Sequence, residues 1–64
     1  MAKKTIFVDD DNNEMEVFVN QNGKLFIQVG QLKEEHYSGF ITLDKTDVEE
    51  LINMLTELKE EVED

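Results

Sequence analysis

The stretch Phe40-Ile41-Thr42-Leu43-Asp44-Lys45-Thr46-Asp47-Val48-Glu49-Glu50-Leu51 constrains this chain more than any other. Apolar residues alternate up to Leu43 and recur at helical spacing from Val48, so a strand runs almost directly into a helix. Asp44 has the chemistry of an N-cap, and Asp47 at the third helical position adds a second first-turn carboxylate. Leu43 before the cap and Val48 at the fourth helical position form a hydrophobic staple that sets how the helix leaves the strand. Thr46 and Glu49 also spell a capping box, but that frame would put Lys45 and Glu50 at the staple positions. Asp44 is the better cap, and the junction folds the helix back over the preceding sheet.

Three further strands precede this one. Thr5–Asp9 is followed by the turn formers Asp10-Asp11-Asn12-Asn13, with Asp11-Asn12 suited to a tight two-residue hairpin. Glu14–Asn20 leads through Gln21-Asn22-Gly23 to Lys24–Val29. A loop with Gly30, Lys33, Glu34 and Glu35 then leads to Tyr37–Leu43. The spacing predicts a helix from about Lys45 to about Val62, with Val48, Leu51, Ile52, Leu55, Leu58 and Val62 in one stripe and Met54 on its shoulder. Its outer face carries Glu49, Glu50, Asn53, Glu57, Glu60, Glu61 and Asp64. Five acids and one lysine in the last eight residues oppose the helix dipole, so the last turn is expected to fray. The fold class is α+β: a four-stranded antiparallel meander followed by one C-terminal helix packed on one sheet face (ββββα), a single domain over residues 1–64.

Alternation splits each strand into two faces. Ile6, Val8, Met15, Val17, Val19, Leu25, Ile27, Val29, Tyr37, Ile41 and Leu43 form an aliphatic face for the helix stripe to cover. Phe7, Phe18, Phe26 and Phe40, all the phenylalanines of the chain, fall on the other, with Thr5, Glu16, Asn20, Lys24, Gln28, Ser38 and Thr42. Paired residues must share a face. A two-residue Asn22-Gly23 turn would oppose Val19 to Phe26, so a three-residue loop with Gly23 left-handed is preferred, pairing Asn20 with Lys24, Val17 with Ile27 and Phe18 with Phe26. The last hairpin is expected to set Phe26 opposite Phe40, with Phe7 diagonal to Phe18. Four outward rings make a patch that soluble monomers seldom expose.

Chemistry is sparse. Asp9, Asp11 and Asn13 have the spacing that opens a calcium-binding EF-hand loop, but Glu14 stands where glycine is needed, Asn20 occupies the closing acid position, and no helices flank it. A solvated turn is the simpler account. His36, the single histidine, has no serine, cysteine or second histidine near it in sequence to orient it for catalysis. No glycine-rich phosphate loop or nucleophile motif is present, and no cofactor or metal is expected. The expectation is a non-enzymatic protein.

Composition bounds the rest. At 64 residues the chain buries only about 60% of its unfolded surface, and without cysteine it has no disulfide to support so small a core. Homo-oligomerisation, as a dimer, is the expected support, with the phenylalanine face the favoured interface and the helix the alternative. The formal charge of −10 favours solubility and disfavours nucleic-acid phosphates and anionic membranes. No signal peptide follows Met1-Ala2-Lys3-Lys4 and no run spans a bilayer, so a soluble, cytoplasmic protein is expected. The helix acids Glu49, Glu50, Glu57, Glu60 and Glu61 could dock on a basic protein by imitating a nucleic-acid backbone, although charge runs are usually solvated faces.

Gly23-Lys24-Leu25-Phe26-Ile27-Gln28-Val29 and Gly39-Phe40-Ile41-Thr42-Leu43-Asp44, with Leu51, Leu55 and Leu58 on the helix, resemble the third strand, strand-to-helix junction and helix of the positive cofactor four and Whirly-like coactivators, which bind single-stranded DNA. The likeness covers about Gly23 to Val62. It implies a dimer with helices at the interface and nucleic acid on the aromatic sheet face, with Phe18, Phe26 and Phe40 as stacking residues and Lys24 beside the backbone. The charge works against that ligand, because Lys24 on this face is set against Glu16 and Asp9. The primary expectation is therefore a regulatory or accessory interaction module, of a kind that suits a phage or mobile element. Its contact surface is Phe7, Phe18, Phe26 and Phe40 with Lys24 and Gln28. A coactivator-like nucleic-acid binder and an acidic nucleic-acid mimic are the alternatives.

Overall fold

Both hairpins between the first three strands turn on one device. In a computed structural model, which describes residues 3–31 and 37–63, Gly23 has φ +76° and Asn12 has φ +65°. Each closes a three-residue loop of the bulged kind, Gln21–Gly23 and Asp10–Asn12. The residue before each loop accepts from two backbone N–H groups. Asn20 Oδ1 takes Asn22 and Lys24, both at 3.0 Å. Asp9 Oδ1 takes Asp11 at 2.9 Å and Asn13 at 2.8 Å. These short polar side chains replace the ladder where the chain reverses.

The loops join β1 (Thr5–Val8), β2 (Asn13–Val19), β3 (Leu25–Gln31) and β4 (Tyr37–Leu43) into one antiparallel sheet of order β1-β2-β3-β4, followed by α1 (Lys45–Lys59). This is the expected ββββα architecture. The central register is also as expected, with Val17 opposite Ile27 and Phe18 opposite Phe26. The loop residues Lys33, Glu34, Glu35 and His36 lie outside the described residues, as does the side chain of Tyr37.

Three expectations are corrected. The first hairpin uses Asp10–Asn12 rather than Asp11-Asn12, so Asn13 pairs with Asp9 and β1 shifts by one residue. Phe7 then lies opposite Met15, on the aliphatic face, while Ile6 and Val8 lie opposite Glu16 and Glu14, on the ring face. In the last hairpin Phe40 lies opposite Gln28 and Phe26 opposite Thr42, a shift of two that preserves the faces. A bulge at Val29/Gly30 accompanies this shift. The helix ends at Lys59, short of Val62, where N–H groups of Glu60 and Glu61 turn back to carbonyls three residues earlier. The acids that follow are unfavourable at a helix C-terminus.

The helix starts as its sequence dictates. Asp44 accepts from Asp47 N–H at 2.9 Å, and Asp47 accepts from Asp44 N–H at 3.3 Å, a reciprocal capping box. Val48 and Leu43 line one open recess with Val19 and Leu25, and Leu51 and Met54 line another with Ile27 and Ile41. Coverage stops there. Ile52, Leu55, Leu58 and Val62 are exposed, so the stripe covers the aliphatic face only with its first turns. Among the described residues no apolar side chain is buried. A folded monomer of 7.5 kDa exposes about 4,250 Å² on the usual size scaling; this chain exposes 5803 Å². Its radius of gyration is 13.1 Å, against about 11 Å for a globular chain of this length.

Candidate functional site

Two open surfaces result, one on each side of the sheet. On the ring face, Phe18 and Phe26 are direct cross-strand partners with centroids 5.2 Å apart and planes tilted by 46°. Phe26 and Phe40 are diagonal, yet their centroids are 5.3 Å apart and the rings are stacked at 23°. The three rings therefore form one oblique row across β2, β3 and β4, with Phe40 at its free end, 72% exposed. Phe7 is not part of the row; it is 57% exposed on the opposite face.

A polar cluster adjoins the row. Glu16, at 8% exposure the one buried polar or charged residue among those described, accepts from Gln28 Nε2 at 2.6 Å and pairs with Lys4 Nζ at 3.4 Å. Lys4 Nζ also lies 5.5 Å from the centroid of Phe18, in cation–π range. Gln28 thus serves to hold Glu16 between β2 and β3. Lys4 is the residue that sequence reasoning left out. Its signal was available once the three-residue first loop set Thr5 opposite Val17, because Lys4 then falls beside Phe18. Lys24 stands at the other end of this face, where its charge helps to hold Asp44 ionised.

On the opposite side, Ile27, Ile41, Leu43, Leu51 and Met54 line an open groove of about 360 Å³ between sheet and helix, with Asp47 and Glu50 at its rim. Leu55, Leu58 and Val62 continue the apolar surface along the outer half of the helix. Glu49, Glu50, Glu57, Glu60 and Glu61 are all exposed, the last two beyond the end of α1.

Two aspartates among the described residues have displaced acidities, one in a hairpin and one at the helix cap. Hydrogen bonds from the Asn13 side chain, then from the Asn13 and Asp11 backbone, hold Asp9 below the ordinary aspartate value of 3.8. The backbone N–H of Asp47, followed by the charge of Lys24 and further hydrogen bonds, does the same for Asp44. Both oxygens of Asp9 are engaged within its hairpin, Oδ2 by Asn13 Nδ2 at 3.0 Å. His36 lies outside the described residues. No helix among the described residues is long and apolar enough to cross a membrane. No family model matches this chain, and neither curated proteins nor solved structures match it.

Proposed function

We propose that this chain is a small, acidic, non-enzymatic interaction module that works as a homodimer. The aliphatic sheet face and helix stripe are covered by a second copy, and the Phe18–Phe26–Phe40 row is left to meet a protein partner in a regulatory or accessory role. The observation that carries this reading is the absence of any buried apolar side chain among the described residues. A 64-residue chain without disulfides needs apolar burial to offset chain entropy, and here the apolar residues described are at most half-buried, so full burial is left to association. The charge of −10 favours a basic protein as partner over a nucleic acid.

Mass in solution tests this directly. Light scattering is expected to give a dimer for the native chain, a monomer for Leu55→Glu, and an unchanged dimer for Phe26→Ser. A monomeric native chain would overturn the reading. Loss of the dimer on Phe26→Ser would move self-association to the ring face.

A second reading is favoured by the stacked Phe26 and Phe40 rings with Lys4 and Lys24 on the same face. Aromatic rows of this kind stack unpaired bases, each worth about 1–3 kcal/mol. A single-stranded oligonucleotide would then bind with an affinity that falls steeply with salt and is lost in Phe26→Ala.

A further inference from the structure

The two edges of the sheet differ in how they are protected. β1 is four residues long, with Lys3 and Lys4 before it and Asp9 to Asp11 after it. Short edges flanked by charge resist pairing with other strands. β4 is seven residues long, Tyr-Ser-Gly-Phe-Ile-Thr-Leu, with no charge and no proline. Its bulge is confined to the Tyr37 end, leaving Gly39–Leu43 in regular register with β3. Such an edge is a template for another strand.

The ladder shows which backbone groups it offers. Asn20 N–H donates to Lys24 C=O at 2.8 Å, so Asn20/Lys24 is a hydrogen-bonded pair. Alternation makes Phe18/Phe26 and Glu16/Gln28 the next ones. Phe26 and Gln28 thus direct their backbone groups at β2, while Leu25, Ile27 and Val29 direct theirs at β4. Their partners Leu43, Ile41 and Gly39 are engaged inward. The N–H and C=O groups of Phe40 and Thr42 face away from β3, along an edge that no other strand among the described residues pairs with.

We propose that β4 pairs antiparallel with β4 of a second copy, centred on Ile41, continuing the sheet from four strands to eight. This rests on the self-association proposed above and names its seam. Centring on Ile41 matches the regular Gly39–Leu43 segment to itself and pairs Phe40 with Thr42 of the other copy through the groups left open. Each Phe40 ring is then set opposite a threonine of the other copy, as Phe26 is opposite Thr42 within one chain, but at a hydrogen-bonded rather than a non-hydrogen-bonded site. A two-fold axis normal to the sheet keeps both aliphatic faces and both helices on one side, where Ile52, Leu55, Leu58 and Val62 find cover. The surface in excess of a globular monomer, roughly 1,500 Å² per chain, exceeds the ~800 Å² per partner of a standard interface.

Cysteine cross-linking tests the seam, because the chain has no cysteine of its own. Ile41 would face its copy as a non-hydrogen-bonded pair with Cα atoms about 4.5 Å apart, within disulfide reach. Ile41→Cys is expected to form a disulfide dimer at least ten times faster than Val19→Cys, an exposed control on the same face (54% and 50% exposed). Thr42→Pro removes one outward N–H without touching the β3 ladder, and is expected to be monomeric by light scattering with its circular dichroism retained. A native monomer would overturn both this seam and the self-association beneath it. A native dimer in which Ile41→Cys cross-links no faster than Val19→Cys would overturn the seam alone. The cross-linking rate decides if Thr42→Pro fails to fold or disagrees.

Discussion

Asn12 and Gly23 hold the same left-handed backbone, but at different cost. An added Cβ at Gly23 meets nothing within 4 Å, so Gly23→Ala is expected to lose only the conformational term, about 1 kcal/mol, read from chemical denaturation. Asn12→Gly, which relieves a non-glycine residue at φ +65°, is expected to be neutral or slightly stabilising. Acid titration probes the other special residues. Asp9 and Asp44 have folded acidities below 3.8, so their stabilisation is fully present above that value and is lost as pH falls through the folded values. Asp44→Ala is expected to lower the melting temperature by several degrees at neutral pH. Below the folded acidity of Asp44, where the native carboxylate is itself protonated, the difference should narrow.

At the scale of elements, the helix stops at Lys59 although its apolar stripe continues to Val62. Glu60 and Glu61 place negative charge on the negative end of the dipole, and this turn is exposed. Glu60→Lys is expected to extend the helix and add about 0.3–1 kcal/mol, seen as higher helical ellipticity and a higher melting temperature. The ring row also belongs to this scale. Phe18 and Phe26 are directly paired, so a double-mutant cycle to leucine is expected to show about 0.5–1.5 kcal/mol of coupling. The cap, the staple positions and the Gln21–Gly23 loop were all legible in the sequence, because each is a local pattern of a few residues. The first hairpin was legible too, had Asp9-Asp10-Asp11-Asn12-Asn13 been compared with Asn20-Gln21-Asn22-Gly23-Lys24. Asparagine in the left-handed position does there what glycine does in the second loop, and the one-residue difference moves Phe7 to the other face.

At the scale of the molecule, each partner carries a charge of −10, so any association of two copies works against repulsion. Screening weakens that repulsion, and the dimer dissociation constant is expected to fall as salt rises, the reverse of a protein binding a phosphate backbone. Sedimentation at low and high ionic strength measures it. Thermal unfolding is likewise expected to shift upward with protein concentration, because the proposed dimer would cover apolar surface that one chain leaves open.

The sequence by itself determined the order of elements, the cap, the parity of three strands and the alignment of Phe18 with Phe26. These follow from side-chain period, turn chemistry and capping, which act over a few residues. The tertiary structure alone decided that Lys4, Glu16 and Gln28 close on one another beside the rings, and that Phe40 stacks on Phe26 from a diagonal position. It also decided that Ile52, Leu55, Leu58 and Val62 stay exposed although they belong to the helix stripe. Those outcomes depend on how strands shift and twist against each other and on the angle at which a helix departs, quantities set by contacts between segments far apart in the chain. An apolar stripe states that a helix must be covered; the fold determines how much of it the chain can cover alone.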